Sequence, residues 1–190
     1  MKTKLPIAMS NKHVHLSQED LEVLFGEGYE LTKRKDLSQP DQFAAEEKVD
    51  LVGPKRTIKG VRVLGPVRSA TQIEISISDA FTLGVESVIR NSGDIEGTPG
   101  IKVIGPKGEI ELEKGVIVAA RHIHMHTDEV KEFGLNNGDI VSVKVDGVRG
   151  LTFDNVLVRS GEGHKLEMHV DMEEGNAAGV KNGDIVEIIK

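Results

Sequence analysis

Short β-branched runs bounded by Gly, Pro, Asn and Asp recur along the chain: "IKGVRVLGPV" (58–67), "TQIEISI" (71–77), "GIKVIG" (100–105), "GVIVAA" (115–120), "DIVSVKV" (139–145) and "DIVEIIK" (184–190). Their lengths and boundaries predict strands. Helical stretches are few and short. Ser17 can cap "SQEDLEVLFG", with Asp20 three residues on and Gly26 at its end, and Thr127 can cap "TDEVKEFG" up to Gly134. The charged run "ELTKRKDLSQPDQFAAEEKVD" (30–50) contains Pro40 and reads as a surface loop with a short helix. The turn formers of "RNSGDIEGTPG" mark residues 87–114 as a connecting segment. Many short strands with one- or two-turn helices predict a mainly β fold built from small barrels capped by short α-helices.

The pattern is also duplicated. Displacing the chain by 109 residues lays "SNKHVHLSQEDL" (10–21) over "AARHIHMHTDEV" (119–130), so that His13 falls on His122, His15 on His124 and Lys12 on Arg121. A displacement of 95 lays "IEISISDAFTLGV" (73–85) over "MHVDMEEGNAAGV" (168–180), with Glu74 on His169. The difference between the two offsets fits an insertion in the first half, within the charged 30–50 run. A smaller echo, "GLNNGDIV" (134–141) and "GVKNGDIV" (179–186), reads as a tight turn feeding a strand. Matches in the same order define two halves, 1–86 and 115–190, with strands free to be exchanged between the barrels.

Composition changes this picture in two ways. The chain has no cysteine, which excludes disulfides and thiolate zinc sites, so any metal must use His, Asp, Glu or water. The net charge of −7 argues against a general nucleic-acid partner. No window approaches the roughly 20 apolar residues of a membrane span, and the default location is the cytoplasm.

Five of the seven histidines fall within the two His-x-His segments, which turns the repeat into a chemical question. On a strand, residues i and i+2 share a face, so His13 and His15 project together, as do His122 and His124, with Cα atoms about 6–7 Å apart. Such a pair can converge on one ion, and the repeat nominates Glu74 and His169 as third ligands. Two trios result, each with an open coordination position of the kind catalytic zinc retains. A lone His-x-His is more often surface decoration or a hydrogen-bonding pair; duplication with a matched third residue favours metal. His126 is open to either a ligand or a pocket role, and His164, in "SGEGHK", reads as a solvent-exposed loop residue. Arg68 can hold a phosphate in a bidentate fork or form an exposed ion pair. The basic run Lys55, Arg56, Lys59 and Arg62 can bind cofactor phosphates or line a solvated strand edge. There is no Walker loop, dinucleotide fingerprint or Gly-x-Ser-x-Gly elbow.

Taken together, "SNKHVHLS", "GPVRSATQIEIS", "SGDIEGTPG", "ARHIHM" and "LEMHVD" resemble, in order and over nearly the whole chain, the phosphate propanoyltransferase family, the phosphotransacylases of the propanediol-utilisation type. The resemblance implies two β-barrels with a dinuclear zinc site between them. It implies reversible transfer of a propanoyl or acetyl group between coenzyme A and inorganic phosphate, with acyl-CoA, phosphate and acyl phosphate as partners. Carried over by motif, His13, His15 and Glu74 hold one Zn2+, and His122, His124 and His169 the second, with other divalent ions as alternatives. Arg68 binds phosphate. Ser10, Asn11 and Lys12 contact coenzyme A, with Lys55, Arg62 and Asn176 as weaker matches for the same ligand. Family members destined for microcompartments carry an N-terminal amphipathic extension; only six residues precede "IAMSNKHVH", so a free cytoplasmic enzyme is expected. A homodimer is compatible with the sequence, though nothing marks its face. The competing readings are a zinc-dependent (thio)ester hydrolase and a non-catalytic zinc-stabilised binding module.

Overall fold

The computed structural model describes residues 1–189 and contains, in chain order, β1 (Lys4–Ser10), β2 (His13–Ser17), α1 (Gln18–Phe25), β3 (Lys33–Asp36), β4 (Phe43–Val52), β5 (Thr57–Arg68), β6 (Gln72–Glu74) and α2 (Ile77–Leu83). These are followed by β7 (Ile89–Arg90), β8 (Ile101–Ile104), β9 (Glu109–Leu112), β10 (Val116–Ala119), β11 (His122–Met125), α3 (Thr127–Phe133), β12 (Ile140–Val145), β13 (Leu151–Ser160), β14 (Glu167–Asp171), α4 (Met172–Ala178) and β15 (Ile185–Ile189). The fold is mainly β, as the strand periodicity predicts. Among the described residues no helix is long and apolar enough to cross a membrane.

The chain divides into two compact units, each with its own apolar core. One takes residues 1–11 and the chain from Ala120 onward; its strands close into a barrel in the order β1-β14-β11-β13-β12-β15, and β1 pairs back onto β15. Ile7, Ile123, Met125, Val143, Val158 and Met168 fill it. The other unit, Lys12–Ala119, is a nine-stranded curled half-barrel sheet ordered β7-β10-β6-β2-β5-β4-β8-β9, with β3 on β4. Val14, Leu16, Leu51, Val63, Ile73 and Leu83 lie in its core.

Strand pairing shows why these units differ from the two sequence halves. β1 runs parallel to β14, with Ala8 opposite His169, and its counterpart β10 runs parallel to β6, with Ile117 opposite Glu74. Each strand that precedes a His-x-His segment therefore pairs with the strand of the other half that carries His169 or Glu74. Residues 87–114, expected to form a connecting segment, contain β7, β8 and β9, all paired within the Lys12–Ala119 sheet.

The register reproduces both sequence offsets. β2 lies between parallel β5 and antiparallel β6, with His13 opposite Arg62 and Glu74. β11 lies between parallel β13 and antiparallel β14, with His122 opposite Leu157 and His169. The caps repeat as well. The Ser76 side chain caps α2 in a box with Asp79, the Asp171 side chain caps α4 in a box with Glu174, and both helices end on left-handed glycines, Gly84 (φ 81°) and Gly179 (φ 69°). Only glycine takes that conformation without a steric penalty.

Several sequence expectations change here. The run 30–50 holds no helix: it forms β3 and β4, because pairing with β5 overrides the helical preference of Ala-Ala-Glu-Glu-Lys. Glu47 occupies an inward position of β4, where its carboxylate accepts from the Tyr29 hydroxyl (2.9 Å) and the Thr32 N–H (3.1 Å). That inward charge hides the strand's alternation from a hydropathy reading. The strand expected over 71–77 stops at Glu74, since Ser76 begins α2. The cap of α3 is His126 rather than Thr127: its Nδ1 accepts from the Asp128 N–H (3.2 Å), and its own backbone N–H donates to Glu129.

Candidate metal centres and anion pocket

In the Lys12–Ala119 unit, β2 presents His13 and His15 from a buried stretch, and β6 brings Glu74 directly opposite His13. One ligand atom from each of the three lies within 4.8 Å of the others. The two imidazoles meet edge to face with centroids 4.9 Å apart, and His13 Nε2 is 3.5 Å from Glu74 Oε2. Burial, reinforced by the positive fields of His13 and Arg68, pushes the His15 pKa down to about 2, so this ring is neutral and keeps a lone pair at ordinary pH. Burial alone would raise the Glu74 pKa; the charge and hydrogen bond of His13, with help from His15 and Ser92, outweigh it and hold the carboxyl far below its usual range.

Behind the trio lies a polar network that the sequence reading does not contain. The Ser92 hydroxyl donates to Glu74 Oε1 (2.9 Å) and accepts from Arg68 Nη1 (3.2 Å) and Gln72 Nε2 (2.9 Å). Gln72 also donates to Glu74 Oε1 (2.7 Å) and accepts the Gly93 N–H (2.7 Å). Arg68 and His15, with Asp41, Gln42, Gly65 and Pro66, line a cavity of about 180 Å3. A guanidinium at the wall of such a cavity provides a forked donor for a small oxyanion. Asp41 holds a positive φ of 60° in that wall, a conformation uncommon outside glycine and one that collects at functional sites.

The unit containing the closed barrel has a matching trio of His122 and His124 on β11 and His169 on β14, again with ligand atoms within 4.8 Å of one another. His122 Nδ1 donates to the Ala120 carbonyl (2.8 Å), which leaves Nε2 with its lone pair, and that atom lies 3.0 Å from His124 Nε2. Burial, then the neighbouring rings His122, His169 and His164, push the His124 pKa down to about 2. His169 Nε2 lies 2.7 Å from Glu167 Oε2. His164 is not the exposed loop residue the sequence suggests. It is half-buried, its ring centroid is 4.5 Å from that of His124, and its Nδ1 donates to the Arg159 carbonyl (3.0 Å). His126 serves as a helix cap, outside the trio.

Both trios suit a divalent cation of the zinc type. Each offers imidazole nitrogens, one trio with a carboxylate and one without. The second histidine of each pair, His15 and His124, leaves a buried Nδ1 with no hydrogen-bond partner. An orphaned buried nitrogen at the same place in both units is costly unless something binds in the cluster. Two ring nitrogens 3.0 Å apart likewise need a proton or a cation to relieve their lone pairs.

The other carried-over residues are held as follows. Lys12 pairs with Asp79 (3.1 Å), and at the equivalent place Arg121 pairs with Glu174 (2.9 Å). In both cases the partner is the carboxylate of a capping box. Lys55 Nζ sits 4.7 Å from the Phe81 ring centroid. Arg62 Nη1 donates to the Ala45 carbonyl (2.8 Å). Ser10 ends β1 opposite Asp171, Asn11 is exposed beyond it, and Asn176 is exposed on α4. Gln72, Ser92 and Glu167 escape the sequence reading. The first and last lie two residues before Glu74 and His169, a signal available from strand period, whereas Ser92 opens the motif "SGDIEGTPG" with nothing in its spacing to place it between Arg68 and Glu74.

A family profile described as phosphate propanoyltransferase matches residues 6–181. Curated relatives carry the same description. The phosphate propanoyltransferase of Thermotoga maritima is 58% identical over 185 residues, 97% of this chain and 88% of the relative. That of Clostridioides difficile is 50% identical over 98% of this chain and 89% of the relative, and that of Salmonella typhimurium 50% identical over 94% and 85%. With this extent of match, and with the duplicated His-x-His register now set in its two units, the chain belongs to the phosphate propanoyltransferase family.

Proposed function

We propose that the protein is a cytoplasmic phosphate acyltransferase that moves a short acyl group, propanoyl or acetyl, reversibly between coenzyme A and inorganic phosphate, using two zinc ions per chain. The observation that carries this reading is the pair of ligand trios with the same orphaned ring nitrogen. The name shared by the family profile and the relatives supports the acyl-transfer chemistry. His13, His15 and Glu74 would hold one ion, and His122, His124 and His169 the other. Bound ions supply Lewis acidity for a thioester carbonyl and stabilise a thiolate.

The chain's own groups account for the rest. Arg68 grips phosphate at the cavity it shares with His15, and Ser92 holds the guanidinium in place. An oxygen of hydrogen phosphate forms the new bond to the acyl carbon as the carbon–sulfur bond breaks. The electron pair leaves on coenzyme A sulfur, the phosphate keeps its proton, and positioning supplies much of the rate. Ser10, Asn11, Lys12, Lys55, Arg62 and Asn176 would contact coenzyme A. There is no cysteine, Ser76 is engaged as a helix cap, and the Ser92 oxygen already accepts from Arg68 and Gln72 while its proton goes to Glu74. The engagement of these groups supports direct transfer within a ternary complex.

The test follows free thiol from acetyl-CoA with and without phosphate. Thiol release that requires phosphate supports transfer, release without phosphate supports a hydrolase, and no release supports a binding module. Trapping a labelled acyl-enzyme would refute the direct route.

A further inference from the structure

The two clusters differ at one more matched position. Gln72 precedes Glu74 by two residues on β6 and faces His15 in the register; Glu167 precedes His169 by two on β14 and faces His124. Each shares a strand face with the third residue of its trio. We infer that Gln72 and Glu167 are equivalent positioning residues, each chosen to be the hydrogen-bonding complement of the third ligand in its own cluster. This rests on the metal reading of the two trios.

The orientation of Gln72 is fixed by its surroundings. Its Oε1 accepts the Gly93 N–H, so its amide NH2 must turn to the other side, where Glu74 Oε1 (2.7 Å) and Ser92 Oγ (2.9 Å) accept from it. A pure donor thereby anchors one oxygen of the carboxylate. The other, Oε2, is left on the His13 side at 3.5 Å, as the ligating atom. In the barrel unit the chemistry is inverted. Glu167 is an acceptor when ionised, so at 2.7 Å it draws the His169 proton onto Nε2 and leaves the Nδ1 lone pair as the ligating atom. An amide stands behind the carboxylate ligand, and a carboxylate stands behind the imidazole ligand. Each cluster thus holds one carboxylate, bound directly in one and one hydrogen bond removed in the other. Exchanging the two partners would weaken both places: Gln72→Glu would set two carboxylates against each other, and Glu167→Gln would hold the His169 tautomer through a weaker, uncharged acceptor.

The experiment uses the full chain loaded with Co2+ or Zn2+. It reads ions bound per chain, their competition with a chelator, the visible spectrum of the cobalt form, and the unfolding temperature of the metal-free protein. Glu167→Ala should weaken one of the two ions by about 10–100-fold and alter the cobalt band of that site alone, with Glu167→Gln intermediate because its carbonyl still accepts. Gln72→Glu should weaken the other ion. The metal-free variants should unfold within a few degrees of the wild type. Two ions held within threefold of wild-type affinity in Glu167→Ala would overturn the inference, as would an equal loss of stability with and without metal. Wild-type protein that binds no ion would instead sink the metal reading itself.

Discussion

The half-barrel cluster and the closed-barrel cluster share a backbone and differ in chemistry. Each has a His-x-His strand between one parallel and one antiparallel neighbour, a third residue across the antiparallel pair, and a capped helix after it. Even the ion pair from the residue before each His pair to the capping carboxylate recurs. What differs is the set of side chains in contact with the second histidine. Arg68 and a cavity flank His15, whereas the half-buried imidazole of His164 flanks His124. Register and caps are the same in both clusters, and the approach to each trio is not. One site opens on a cavity lined by a guanidinium, whereas the other, with Arg159 opposite His124, adds a second imidazole layer.

The comparison breaks most visibly if one histidine is removed from each cluster. His15→Ala and His124→Ala should each lose one ion, and each should lower kcat/KM by about three orders of magnitude, since metal charge stabilisation contributes several kcal/mol. Metal analysis beside thiol-release kinetics checks this; full activity with one ion gone would make that cluster structural. Arg68→Ala is the next largest. Losing hydrogen bonds to a charged group of about 1.5–3 kcal/mol should raise the KM for phosphate roughly 10–100-fold at unchanged metal content. His164→Ala should leave the phosphate KM within about twofold, and a shift as large as that of Arg68→Ala would show that the two approaches are not distinct.

Acidification of the metal-free protein sharpens the contrast further. His15 and His124 have folded pKa values pushed to about 2, below the unfolded value, so the unfolded chain binds more protons as pH falls beneath about 6.5. Stability is therefore fully present above that pH and declines below it in both units. Glu74, whose folded pKa is also depressed, adds a further loss only below about 4.5, and only in the half-barrel unit. A melting temperature that stays flat from pH 8 to pH 5 would contradict the histidine part. Glu74→Gln should flatten the steeper segment below pH 4.5. The smallest effect is at the caps: Ser76→Ala and Asp171→Ala should each cost about 1 kcal/mol. Chemical denaturation would check them, and a large difference between the two would show that the repeat is less symmetric in energy than in geometry.

By itself the sequence singled out the two clusters of side chains that the fold brings together. Strand period puts His13 with His15 and His122 with His124 on one face, and the two offsets pick out Glu74 and His169 without any long-range information. It also determined most strands and α1, because β-branched runs and Ser17 act locally. The tertiary structure alone decided which strands lie side by side. It paired β1 with β14 and β10 with β6, turned 30–50 into strands around the buried Glu47, brought Ser92 between Arg68 and Glu74, and set His164 against His124. The physical reason is one of range. Hydropathy records which face a residue takes on its own element, a matter of one or two neighbours. Partners across a sheet are chosen by the sum of many distant contacts, and no single stretch of the chain carries that sum.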